Sequence, residues 1–237
     1  MVMLRNIFLG SIICLTAANS AAAIDVPPAP VPNIAKEASI VERLVPEGWR
    51  IETMSRDDLN GDRLTDAVLV IRSKDPNLIV ENPNGLGEDK FDSSPRTLLV
   101  ALAKKGGGFR TVAINNVIIP RIKSPTIDDP FDAISIEKNV LTLSLRFWAS
   151  AGSWSMSTTS FKFRWQSDAM RLIGYDNSEI HRGSGDMTEV SVNYLTGRKI
   201  TAKGSISDDD MVGTPERIGR KPLLKLNDIG HGWEFEP

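Results

Sequence analysis

The 237-residue chain carries 28 Lys and Arg against 30 Asp and Glu, a net charge of −2 that leaves no basic footprint for a nucleic-acid partner. With 41% hydrophobic residues, it is long enough to bury a sizeable core and falls within the usual span of one all-β domain. A single cysteine, Cys14, excludes an internal disulfide framework.

Met1 to Arg5 reads as a positive n-region, Ile7 to Ala18 as an apolar h-region, and Ala21-Ala22-Ala23 as a signal-peptidase site. The apolar run falls short of the ~20 residues that a membrane helix needs. Ile13 before Cys14 is a poor match to a lipoprotein signal. The expectation is therefore a signal peptide at 1–23 cleaved after Ala23. The mature chain would be periplasmic or secreted, without cysteine and without a transmembrane span. A Pro-rich tether at 24–33 then leads into one β-rich domain at 34–237.

Ile34, Ala38, Val41 and Leu44 are spaced for one short amphipathic helix, with Asn33 as N-cap and Pro46 beyond its end. Trp49 to Met54 alternates like a half-buried strand, and Ala67 to Ile71 is a β-branched apolar run that reads as a buried one. Hairpins are predicted wherever two such runs flank turn residues. Thr97–Ala103 and Phe109–Ile114 flank Lys104 to Gly108, and Ile134–Ile136 and Val140–Trp148 flank Glu137 to Asn139. Phe161–Trp165 and Met170–Gly174 flank Gln166 to Asp168, and Val190–Tyr194 and Lys199–Ala202 flank Thr196-Gly197. The fold class is thus mainly β: an antiparallel meander, as open sheet, barrel or sandwich, with one short N-terminal helix. Lys74 to Pro95 and Ser205 to Lys221, the latter including Asp208-Asp209-Asp210, read as irregular.

Between the first two strands lies Asp58-Leu59-Asn60-Gly61-Asp62-Arg63-Leu64-Thr65-Asp66, with an oxygen-bearing residue at nearly every second place. Hard Ca2+ collects such oxygens, so Asp58, Asn60, Asp62, the Leu64 carbonyl and Asp66 are the candidate metal ligands. Arg63 stands at the sixth place, where an EF-hand has glycine, and Leu69 at the twelfth, where it has a bidentate Glu. The alternative is a polar turn whose side chains bond their own backbone. Asp58 to Ile71 resembles the calcium loops of FG-GAP and VCBS-type repeats, here in a single copy, and that resemblance implies a bound, structural Ca2+.

On the strand from Val140, Leu141, Leu143, Leu145 and Phe147 share the core face. Pairing around a five-residue loop would place Trp148 opposite Trp154 and Arg146 opposite Met156. Arg146, Trp148 and Trp154 are accordingly the candidate ligand surface, unless a second layer covers them. His181 and His231 lack the spacing of a zinc site. His181, Ser184 and Asp186 contain the residue types of a hydrolytic triad without a nucleophile-elbow turn. Acidic residues are too numerous to nominate a carboxylate pair for glycosidic cleavage.

The leader, the Asp58 loop, Arg96 to Val100, Phe163-Arg164, Arg171 to Tyr175 and Asn193 to Arg198 together resemble an uncharacterised group of exported bacterial proteins. That resemblance implies export and a compact β-rich domain, and supplies no activity. The expected function is an exported, envelope-associated binding protein with a protein or glycan ligand and one calcium loop. The alternatives are a periplasmic hydrolase acting on glycans or peptides, and a toxin-neutralising immunity protein.

Overall fold

The computed structural model describes residues 24–83, 85–207 and 211–237. The expected leader and the Asp208-Asp209-Asp210 run lie outside these residues. In chain order the first strands are β1 (Glu37–Ala38), β2 (Trp49–Asp57), β3 (Asp66–Ser73), β4 (Ile79–Glu81), β5 (Lys90–Asp92), β6 (Arg96–Ala103) and β7 (Phe109–Asn115). A second run follows: β8 (Phe131–Glu137), β9 (Val140–Phe147), β10 (Ser155–Gln166), β11 (Ala169–His181), β12 (Asp186–Asn193), β13 (Arg198–Ser205) and β14 (Val212–Arg217).

All pairings are antiparallel. The first sheet has the order β1-β7-β6-β3-β2, the second is the uninterrupted meander from β14 to β8, and β4 and β5 form a small ribbon. Neither large sheet closes on itself, so the fold is an open two-sheet sandwich. The expected hairpins are present. Two turn through residue pairs at positive φ, Lys138-Asn139 (51° and 62°) and Ser167-Asp168 (48° and 57°), which matches the right-handed twist of the strands they join.

Alternation decides what each sheet buries. Val68, Val70, Leu98 and Val100 point from the first sheet into a shared core with Leu141, Leu143, Leu145, Phe161 and Phe163 of the second. Ala67, Leu69, Ile71, Leu99 and Ala101 point the other way and are covered by Val41, Leu44 and Trp49. The central strands β3 and β6 are therefore buried on both faces, which is why they read as continuous apolar runs.

The helix expected over Ile34 to Leu44 shrinks to a single 3-10 turn, Val41–Leu44. A helix this short is marginal alone, whereas the open edge of β7 offers backbone partners at once. Glu37 pairs with Arg110, the Thr111 N–H donates to the Lys36 carbonyl (2.9 Å), and the Thr111 hydroxyl donates to the Ala35 carbonyl (2.8 Å). Close approach here requires Gly108, where a Cβ would stand 2.6 Å from the Ala38 carbonyl oxygen and φ is +79°. The stretches expected to be irregular contain the β4–β5 ribbon and the exposed edge strand β14, which carries Pro215.

One end of the sandwich is closed by ions. Arg72 and Arg96 are direct cross-strand partners, an arrangement that would repel if unaccompanied. A bulge in β2 between Ile51 and Thr53 leaves Glu52 as the extra residue, and its side chain reaches both guanidiniums. Arg96 is nearly buried and forks onto Glu52 and onto Asp129 Oδ1 and Oδ2 (2.8 and 2.6 Å), while Arg72 also meets Asp92 at 2.9 Å. Burial draws the Glu52 carboxyl upward, but Arg96 and Arg72 outweigh it and hold it below its usual range.

Candidate functional site

The Asp58–Thr65 loop joins β2 to β3, as its flanking patterns predicted. Asp58 Oδ1 accepts the Gly61 N–H (2.7 Å) and Asn60 N–H (3.2 Å), and Oδ2 accepts the Arg63 N–H (2.8 Å). Asn60 Oδ1 accepts the Asp62 N–H (2.9 Å), and Asp62 Oδ1 accepts the Leu64 N–H (2.8 Å). Asp66, fully buried, accepts the Leu59 and Ala103 N–H groups, both at 2.8 Å. These are nested turns in which the Asp58, Asn60 and Asp62 side-chain oxygens accept backbone N–H groups of the loop itself. Arg63, at the place where calcium loops favour glycine, has φ +68°, so the backbone takes the left-handed conformation without the glycine.

Two contacts fix the loop to the second sheet: Leu59 is buried in the shared core, and Asn139 Nδ2 donates to the Asp58 carbonyl at 2.6 Å. Burial pushes the Asp66 carboxyl above its ordinary value, and the charges of Asp62 and Asp58 push it further. The hard-oxygen donor set and this mutual repulsion suit a divalent cation. Among the described residues, no three His, Cys, Asp or Glu side chains are drawn together as a metal cluster.

The candidate surface at Arg146, Trp148 and Trp154 is rearranged relative to expectation. Arg146 pairs with Thr158 rather than Met156, because β9 ends at Phe147, opposite Ser157, and a longer loop follows. Trp148 lies under the Arg182 guanidinium, 5.0 Å from its ring centre, and Arg182 Nη2 ties the loop by donating to the Ala149 and Ser153 carbonyls (2.6 and 2.7 Å). Trp154 is 67% exposed beside the β11 end, its carbonyl accepting the Arg182 N–H at 2.8 Å. Arg146 is exposed, its Nε donating to the Asp129 carbonyl at 3.0 Å. The three side chains therefore ring one loop and do not stack across the strands.

Next to that loop, β10 and β11 extend well beyond the predicted Phe161–Trp165 and Met170–Gly174. Their extensions keep the alternation but change its chemistry. On the face that carries Phe161 and Phe163 further along, β10 now presents Ser155, Ser157 and Thr159, and β11 presents Tyr175, Asn177 and Glu179. Together with Phe147 and Trp233 these residues line an open groove of about 390 Å³. Phe147 and Trp233 meet edge to face at 5.0 Å, and Trp233 Nε1 donates to the Arg146 carbonyl at 3.2 Å. Ser155 Oγ donates to Glu179 Oε1 (2.7 Å) and Asn177 Nδ2 to Thr159 Oγ1 (2.9 Å). These pairs hold the polar floor in fixed orientations.

The groove residues escaped the sequence reading because short polar extensions lack a hydrophobic period. The signal present was alternation, Ser155-x-Ser157-x-Thr159, in phase with Phe161 and Phe163.

At the β11–β12 turn, His181, Ser184 and Asp186 do meet, but in a different order from a triad. Asp186 accepts the Ser184 hydroxyl at 2.5 Å, and His181 Nδ1 lies 3.0 Å from the same oxygen. The carboxylate thus accepts the serine's hydrogen bond instead of orienting the imidazole. Comparison with family models, with curated proteins and with solved structures returns no match for this chain, so its reading rests on the groove, the loop and their chemistry.

Proposed function

We propose that this is an exported, envelope-associated binding protein that holds a glycan in the groove between Trp233 and the Ser155–Thr159 edge. The observation that carries the reading is the pairing of aromatic faces, Trp233 and Phe147, with a ladder of hydroxyl, amide and carboxylate groups. Sugar rings present apolar C–H faces and equatorial hydroxyls, which aromatic planes and such ladders match. The leader-like N-terminus supports export. Glycosidic cleavage needs two carboxylates about 5 to 9.5 Å apart, whereas Glu179 is the one carboxylate lining the groove among the described residues. That favours binding over hydrolysis. The calcium loop is proposed as a structural site, held by Asp58, Asn60, Asp62, the Leu64 carbonyl and Asp66, where the cation would neutralise crowded carboxylates.

The test is tryptophan fluorescence during titration with a panel of soluble envelope oligosaccharides. One of them should quench or shift the emission, and Trp233→Ala and Asn177→Ala should each weaken that binding about tenfold, the worth of one stacking or hydrogen-bonding contact. Binding unchanged in both variants, or no response across the panel, would overturn the glycan reading.

A further inference from the structure

His231 and Trp233 meet edge to face at 5.8 Å, and each lines a different cavity. The cavity on the His231 side holds about 460 Å³ between the tether residues Val26 to Ala29 and the segment Asn116 to Lys123. Its polar lining consists of groups with donors to spare. Arg121 Nε donates to the Ser93 carbonyl and Nη2 to Ser93 Oγ (3.0 Å), which leaves Nη1 with no partner among the described residues. Lys123 is exposed and forms no ion pair among them. Asn116 uses its carbonyl oxygen to accept the Thr97 hydroxyl at 2.7 Å, and its amide hydrogens have no partner among the described residues. His231 Nδ1 is buried without a hydrogen-bond partner among the described residues, with Glu234 Oε1 at 3.8 Å.

Among the described residues, no carboxylate lines the cavity. Arg121 is therefore a partly buried cation without a counter-charge, and burial alone draws its guanidinium below its ordinary value. The remaining walls are apolar: Val26, Pro27, Pro28, Pro95, Val117 and Ile119. A cavity with cationic and amide donors at one side and proline and aliphatic walls elsewhere fits one kind of ligand: an anionic head on a short apolar body.

We propose that this cavity binds an organic carboxylate with a short apolar body, its carboxylate on Arg121 and Lys123 and its body against the docked tether. Such a group occurs in free aliphatic acids and at the carboxyl terminus of a polypeptide, and the two sources are separable by experiment. The full chain is titrated calorimetrically with hexanoate, with hexanamide, with an acetylated Ala-Ala-Val peptide as the acid and as the amide, and with inorganic phosphate. Hexanoate or the peptide acid should bind, and the tighter of the two names the source. Both amides should bind at least tenfold more weakly. Lys123→Glu reverses an exposed charge without disturbing the fold and should also reduce acid binding at least tenfold. Arg121→Gln should do the same, with its melting curve showing whether the loss of the Ser93 contact matters. The proposal is overturned if neither acid binds, if the amides bind as well as the acids, if phosphate matches hexanoate, or if Lys123→Glu leaves acid binding unchanged. None of these readouts involves the Trp233 groove, so the glycan reading stands or falls separately.

Discussion

Asp66→Ala isolates the junction that the loop depends on. The fully buried Asp66 carboxylate accepts two backbone N–H groups at 2.8 Å, Leu59 from inside the loop and Ala103 from the end of the neighbouring strand β6. Removing it orphans both. An unsatisfied buried donor costs about 1–3 kcal/mol, and Ala103 retains some access to solvent, so the sum is about 2–4 kcal/mol. Part is recovered, because the ionised carboxylate is itself held against burial and against Asp62 and Asp58.

A net loss of about 2 kcal/mol is expected, which in a domain of this size lowers Tm by about 4–8 °C. The pH dependence carries a definite sign. A carboxyl whose folded pKa is raised binds more protons when folded, so its cost is present at neutral pH and is relieved as pH falls through the raised value. The wild type should therefore gain on the variant between neutral pH and pH ~4. Thermal melts of both proteins in chelator, at several pH values, read this directly. A variant melting within a degree of wild type, or a gap that narrows on acidification, would refute the reasoning.

Two further outcomes are expected. Arg96→Met takes the fork from Asp129 and leaves Glu52 on Arg72 alone, and should cost about 3 kcal/mol in urea unfolding, the low end for a broken buried pair because Arg72 remains and Asp129 is 37% exposed. For both carboxylates burial raises the pKa, but the arginines outweigh it. Their contribution is thus complete above the ordinary carboxylate range and lost as pH falls below it, so the variant should show a flatter acid limb than wild type. In the proposed calcium loop, millimolar Ca2+ should raise the melting temperature relative to EDTA, and Asp62→Ala should abolish the rise; equal melts with and without the cation would leave the loop a polar turn.

Sheet membership was legible wherever burial imposed a period. Leu141, Leu143 and Leu145 announced their face by alternation, and the double burial of β3 and β6 left unbroken apolar runs. What escaped was decided by partners distant in sequence. Glu37 and Ala38 became a strand because β7 had a free edge, and no local pattern at 34–44 records that edge. The registers around Trp148 depended on where β9 stops, which shifted Arg146 from Met156 to Thr158. The groove combined both problems: its residues are polar, and Trp233 arrives from the far end of the chain. Arg121, Lys123 and His231 were likewise unremarkable singly, since what joins them, one cavity with no carboxylate in its lining among the described residues, exists only in three dimensions.

The two sheets also differ in how they can be assembled. Every pairing from β8 to β14 joins strands that are neighbours in sequence, so this half can zip hairpin by hairpin with short loops to close. The first sheet cannot do so: β3 must wait for β6, and β1 for β7, which lies far along the chain. The strand that follows the tether can thus dock only once β7 is in place, and the cavity that the tether walls is complete only when His231 arrives from the far end of the chain.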